Sequence, residues 1–279
     1  MKHNSCQTTP IFAQAPAELL PGGRTLAAPS WVKPGSLREN CAWLAGKVHE
    51  VGLLFLESRA SLDYGKDDLP PWLASLPLRW HVHLPVDLPW AEGPGGPGRA
   101  AEICLALMDK LDFLGLRRAV LHPPPRARDL GVFVEAWRKA GRESRDLLLE
   151  NLPETATASD WRQLQAAARQ FFCSFCFDFG HFLLHTGNAD SRPGQKTVRG
   201  IMDLLPDILQ NTRLFHCCTA AHRSLTQLSA TEREVCAEIC RQALACSPEA
   251  VFMLELFRWE DIETSLPLLR DWLEPCEEG

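Results

Sequence analysis

What most constrains this chain is a repeated unit, a short apolar run followed by a stretch of helical spacing, which recurs eight times between residues 24 and 273. Continuous apolar runs mark strands buried on both faces, as parallel sheets require. Strands alternating with helices of roughly 10–15 residues make βαβ units. Eight of them fit a closed (β/α)8 barrel, an α/β fold of one domain, for which roughly 250 residues is typical. A doubly wound sheet is disfavoured, because no GxGxxG phosphate fingerprint follows the first strand.

The runs predicted as strands are RTLAAP (24–29), EVGLLFLE (50–57), 79–84, RRAVLH (117–122), DLLLEN (146–151), CSFCFD (173–178), RLFHCC (213–218) and VFMLEL (251–256). Ser36 should cap the first helix. The Gly/Pro run AEGPGGPGR (91–99) reads as loop. Residues 1–23 read as a flexible lead-in to a catalytic barrel over 24–279, and the start lacks the apolar core of a signal peptide.

Acids and histidines stand where these runs end: His83, His122, Glu150, Asp178 with His181 one loop later, His216 and Glu255. Polar side chains at buried strand ends are unfavourable unless partnered. Seven on six successive strand ends point to one convergent site at the C-terminal mouth of the barrel. Histidines and carboxylates without a thiolate pattern suit Zn²⁺ or Mn²⁺. The expectation is a metal-dependent enzyme with one to two ions. His83, His122, Glu150, Asp178, His216 and Glu255 are its ligands, and Glu150, placed to bridge two cations, His181 and Glu255 carry the chemistry. His81 shares a strand face with His83, but His83 lies nearer the mouth. Glu57 is either a substrate contact or a structural ion pair. His185 and His222 are loop candidates. Trp31, Trp90 and Trp259, near loop ends, either cover a substrate or pack helices.

Charge narrows the partner. A net charge of −6 disfavours a nucleic-acid backbone, whose recognition needs a basic surface, and favours a small-molecule substrate. Arg126, Arg128, Lys139, Arg142 and Arg145 read as ordinary helix surface. No apolar run approaches the ~18 residues of a membrane span. The 11 cysteines fall mostly within helix or strand patterns, which suits reduced core thiols in a cytoplasmic protein. Cys173 and Cys176 form a CxxC whose alternation places them on opposite strand faces. Cys217 and Cys218 directly follow His216 and could line the site.

The order His83, His122-Pro, Glu150-Asn, Asp178-x-x-His181, His216 and Glu255 resembles the apurinic-endonuclease family 2 superfamily, shared with xylose-isomerase-like isomerases and epimerases. The resemblance spans roughly residues 24–273. It implies one zinc at His83, His122 and Glu150, and a second at Glu150, Asp178, His216 and Glu255. It implies a third at His181 with a downstream Asp-x-His. Here His222 can stand for that histidine, but no Asp precedes it, so the third site and DNA repair both lack their full residue set.

Within the superfamily, PSWVKPGSLRENCAWLAGKVHEVGLLFLES and LRWHVHLPVDLPW are similar to the cobamide-remodelling phosphodiesterases. That similarity implies hydrolysis of the phosphate–ribose linkage in the nucleotide loop of an adenosylated cobamide. The tryptophans would then cover the corrin or its base, and His222 would hold phosphate. Rival expectations are a single-metal sugar isomerase or epimerase, a DNA-repair nuclease, and a non-catalytic cobamide-binding protein.

Overall fold

The computed structural model describes residues 18–184 and 200–274. Eight parallel strands close into one barrel in sequence order, β1 to β8, with β8 pairing back onto β1. They are β1 (Thr25–Pro29), β2 (Glu50–Leu54), β3 (Arg79–His83), β4 (Ala119–Leu121), β5 (Leu147–Glu150), β6 (Ser174–Asp178), β7 (Thr212–His216) and β8 (Val251–Met253). The described helices between them include α1 (Leu37–Leu44), α2 (Ser58–Asp63), α3 (Gly96–Leu111), α4 (Ala127–Lys139), α5 (Ala158–Phe171), α6 (Phe179–Leu183), α7 (Leu205–Leu209), α8 (Ala230–Cys246) and α9 (Trp259–Leu273). This is the single-domain (β/α)8 barrel that the alternation predicts.

The period of two sorts every strand. Outward residues such as Phe175, Phe177, Phe215 and Phe252 join the main core beneath the helices. Inward residues Ala27, Val120, Leu148, Cys176, Leu214, Val251 and Met253 form a separate apolar layer inside the barrel. Cys173 belongs to the outer core and Cys176 to this layer, opposite faces as the alternation requires. The next inward positions toward the C-terminal mouth are His83, His122, Glu150, Asp178, His216 and Glu255. This alternation, with a register shift at Phe175/Cys176 between β6 and β7, brings the whole set to the C-terminal mouth.

Local chemistry explains the helix starts. Ser36 with Glu39, Thr157 with Asp160 and Ser229 with Glu232 form reciprocal capping boxes for α1, α5 and α8. The segment expected to be an irregular loop at 91–99 instead enters α3, which begins at Gly96. Pro97 at the first turn has no amide hydrogen to leave unpaired. A Cβ on Gly96 would lie 2.3 Å from the Pro89 carbonyl oxygen, so glycine permits that entry.

One further expectation is adjusted. β2 stops at Leu54, three residues short of Glu57, because Leu56 and Glu57 are already exposed. Of the described residues before β1, Leu20 is buried and exchanges backbone hydrogen bonds with Arg24 at 3.0 and 3.2 Å, while Glu18, Leu19, Gly22 and Gly23 are exposed. Residues 1–17 lie outside the described residues. No helix among the described residues is long and apolar enough to cross a membrane. The nine described cysteines are all free thiols.

Candidate metal centre

Glu150 ends β5 and projects into the mouth, and its two oxygens divide the site. Oε2 lies 3.1 Å from His83 Nε2 and 3.4 Å from His122 Nε2. Oε1 lies 3.4 Å from His216 Nδ1 and 3.5 Å from His181 Nδ1. His216 Nδ1 also lies 3.4 Å from Glu255 and 3.7 Å from Asp178. All six predicted ligands, and His181 with them, are thus brought into one cluster.

Surrounding groups fix the ring orientations. His83 Nδ1 lies 2.8 Å from the Leu84 carbonyl oxygen, so it is the donor there and Nε2 keeps its lone pair for the site. His181 Nδ1 lies 2.8 Å from the Asn151 carbonyl oxygen, which likewise frees Nε2. Asn151 is a residue that strand-end reasoning passed over. Its side chain accepts from the Asp178 amide at 2.8 Å and donates to the Asp178 carbonyl at 2.9 Å, locking the ends of β5 and β6 together. His181 lies in α6, capped by Asp178, and not in a loop: the Asp178 carboxylate accepts the His181 amide hydrogen. The Asp-x-x-His spacing is therefore one helical turn, a signal already present in the sequence.

The electrostatics show what the cluster lacks. Burial alone would raise the Glu150 carboxyl, yet the neighbouring His216 and His122 hold it well below the usual range. Burial raises the Glu255 carboxyl, and the like charges of Asp178 and Glu150 add to that. Burial would lower His216, but Cys176, Glu255 and Glu150 push it well above its ordinary value. Burial likewise opposes the charged form of His83, and Glu150 more than compensates. Three buried carboxylates therefore converge on a point balanced by protons alone. His216 is fully buried, and neither of its ring nitrogens has a hydrogen-bond partner. An orphaned imidazole facing three carboxylates is the donor set a divalent cation satisfies.

Ligand atoms within 4.8 Å of one another recur as triads that share Glu150: His83–His122–Glu150 and Glu150–Asp178–His181, with Asp178–His216–Glu255 beside them. Two thiols border the cluster. Cys176 lies one layer below, its thiol pushed up to about 12 chiefly by burial. The Cys218 Sγ lies 3.6 Å from Asp178 Oδ2, and burial followed by Asp178 keeps it protonated. Cys217 turns away into the core beside Cys236 and Cys240.

The remaining candidates separate. His222 reaches the edge, its Nδ1 3.7 Å from Glu255 Oε2, and forms a triad with Cys218 and Glu255. Glu57 is exposed at the N-cap of α2 and makes no capping hydrogen bond. Trp90 packs on Phe133 with ring centres 5.5 Å apart, and Trp259 meets Trp43 edge-on at 4.9 Å; both are half-buried. Trp31 is half-buried against the main core. His185 lies outside the described residues. His81 points into the barrel below His83, where its Nδ1 lies 2.7 Å from Glu50.

No protein-family model matches the chain, and no curated protein is similar to it. Solved structures share its fold. A D-tagatose 3-epimerase-like protein superposes with a TM-score of 0.61 at 16% identity, over 89% of this chain and 97% of that one. Endonuclease IV from Thermus thermophilus gives 0.58 at 15%, over 89% and 98%. A further Thermus thermophilus protein, studied after soaking with ZnCl2, gives 0.56 at 22%, over 91% and 98%. At these identities the likeness is one of fold.

Proposed function

We propose that the chain is a two-cation hydrolase of a phosphodiester in a small molecule, with the nucleotide loop of an adenosylated cobamide as its substrate. The observation that carries the two-cation reading is the division of Glu150, with His83 and His122 on Oε2 and His216 and His181 on Oε1. A carboxylate addressed from both sides is a bridge. His83 and His122 would complete one position, and Asp178, His216 and Glu255 the other.

The chemistry such a pair of Zn²⁺ or Mn²⁺ ions supplies is polarisation of the phosphodiester and acidification of a water. The chain's own residues do the rest. The Leu84 carbonyl holds the donor face of His83 away from the site, so Nε2 of that ring meets it as a base, and the Asn151 carbonyl takes the Nδ1–H of His181, which leaves Nε2 as that ring's basic nitrogen. His122 and His181 are the part-exposed members of the set, at 23% and 18%. From that solvent side His181 would orient the phosphate, take at Nε2 the proton released by the attacking water, and pass it to the departing alkoxide. His222, at the rim beside Glu255, holds a phosphate oxygen. The choice of cobamide rests on the similarity of the β1–β2 and β3 segments to the cobamide-remodelling phosphodiesterases.

Mass spectrometry after incubating metal-loaded protein with adenosylcobalamin tests the reading. A cobinamide-phosphate product that disappears with chelator supports it, and unchanged substrate across several metals and lower bases removes it. The second reading is a sugar epimerase with one ion at Glu150, Asp178, His216 and Glu255. In its favour are the epimerases among the structures sharing the fold and the buried His216–Glu255–Asp178 triad. His83 and His122 would then touch substrate, and turnover of a ketohexose by protein holding one ion would establish it.

A further inference from the structure

The opposite end of the barrel, where such folds usually carry stability alone, holds a second concavity. Two adjoining cavities of about 830 and 640 Å³ open there and share Arg145 and Arg213 in their walls. The smaller is ringed by Arg24, Arg79, Arg117, Arg118, Arg145 and Arg213, against the acids Asp146 and Glu249. On a chain of net charge −6 this reverses the local sign.

The six arginines are not equivalent. Arg118 and Arg79 point at buried Glu50, and Arg24 donates to the carbonyls of Pro21 and Leu244. Arg117, Arg145 and Arg213 are exposed, and among the described residues no ion pair engages their side chains. Asp146 and Glu249 share the wall but form no ion pair with these three, and the excess of like charge does not help the fold. They do suit an anion, because each guanidinium offers a planar fork matched to phosphate.

A second feature of the larger cavity is Phe172. It is 72% exposed, the most exposed large apolar side chain described. Its backbone, at φ 58°, takes the left-handed conformation that usually calls for glycine at a helix end. Burial does not account for an aromatic ring there. The Arg138 guanidinium lies 5.8 Å from the ring, giving a cation-backed aromatic platform of the kind bases stack on.

We propose that this basin binds a nucleotide, its phosphates on Arg145, Arg213 and Arg117 and its base on Phe172. The volumes suit a ligand of that size. This inference stands independently of the chemistry at the metal centre.

Calorimetric titration of the full chain with ADP, and separately with pyrophosphate, tests it. Saturable ADP binding is expected. Arg145→Glu and Arg213→Glu should each weaken it by about tenfold or more, since an attraction becomes a repulsion. Arg→Gln at the same positions serves wherever a charge reversal fails to give the native melting profile. Phe172→Asn, which tolerates the left-handed backbone, should weaken ADP by about tenfold and leave pyrophosphate unchanged. Glu150→Gln should leave ADP binding intact. The proposal is overturned by the absence of binding, or by binding that survives the arginine changes and vanishes in Glu150→Gln. Equal behaviour of ADP and pyrophosphate in the Phe172 variant would reject the nucleotide and leave a plain anion site.

Discussion

Two buried clusters of ionisable groups occupy the two ends of the same barrel, built by the same pleat, and they differ in their balance. At the N-terminal end, Glu50 accepts from His81 Nδ1 at 2.7 Å and from Arg118 Nη2 at 3.0 and 2.7 Å, with Arg79 at 3.8 Å. Burial would raise its carboxyl, but His81, Arg118 and Arg79 together hold it below the usual range. His81 is itself lowered, first by burial, so it serves as a neutral donor. The Glu50 carboxylate is thus matched by cations and a donor, although His81 Nε2 has no hydrogen-bond partner. At the C-terminal end three carboxylates share histidines, and His216 Nδ1 faces all three of them at 3.4–3.7 Å without a hydrogen bond from either ring nitrogen. Buried acids alone do not mark a functional site; buried acids short of positive charge do.

Breaking each cluster should therefore have opposite consequences. The largest effect is expected from Glu150→Gln, which removes the proposed bridging carboxylate. Turnover should fall by at least about 10³-fold, on the order of 4 kcal/mol of barrel-mouth chemistry, while the melting temperature of the metal-free protein holds or rises. A variant that melts early but keeps turnover would reverse the assignment of the two ends. Next comes Arg118→Met, which strands Glu50. Loss of about 3 kcal/mol is expected in denaturant unfolding, with metal content per folded chain unchanged.

Asn151→Ala sharpens the comparison from beside the site. It frees the end of β6 without removing a ligand, so metal affinity should drop by about 10- to 100-fold, measured by competition with a chromogenic chelator. Acidity gives the smallest effect, and its sign differs between the ends. Glu50 is depressed, so its contribution is present above the unfolded value of about 4.3 and is lost as pH falls through the folded one. His216 is raised, so in chelated protein its contribution is present below about 6.5 and fades as pH rises through the folded value. Melting curves should show acid loss flattened in Glu50→Gln, and an alkaline loss in chelated protein that cation loading abolishes.

The barrel and the mouth were legible in the sequence because both rest on period two. Runs such as DLLLE and CSFCFD state which residue ends each strand, and strand order follows once all eight are parallel. The Glu50 cluster was missed although the same alternation marks it: Glu50, Gly52 and Leu54 share the inner face of β2. Glycine is required there, since a Cβ on Gly52 would lie 2.6 Å from His81 Nε2. The partner Arg118 is 68 residues away from Glu50, beyond any local pattern. Asn151 was hidden for the same reason, because its role depends on the neighbouring strand. The run 50–57 predicts a longer β2 than the ladder holds, since apolar residues continue past Leu54 into an exposed turn. The tryptophans were ambiguous because composition places them near loops, and only packing shows Trp90 on Phe133 and Trp259 on Trp43.

Under the proposed function, the C-terminal mouth holds two divalent cations with Glu150 between them. Anomalous diffraction from crystals of metal-loaded protein, collected at the zinc and manganese edges, tests it most directly. Two peaks per chain are predicted, one beside His83 and His122 and one beside Asp178, His216 and Glu255. A single peak beside the second set, with His83 and His122 bare, would contradict the two-cation account and favour the epimerase reading.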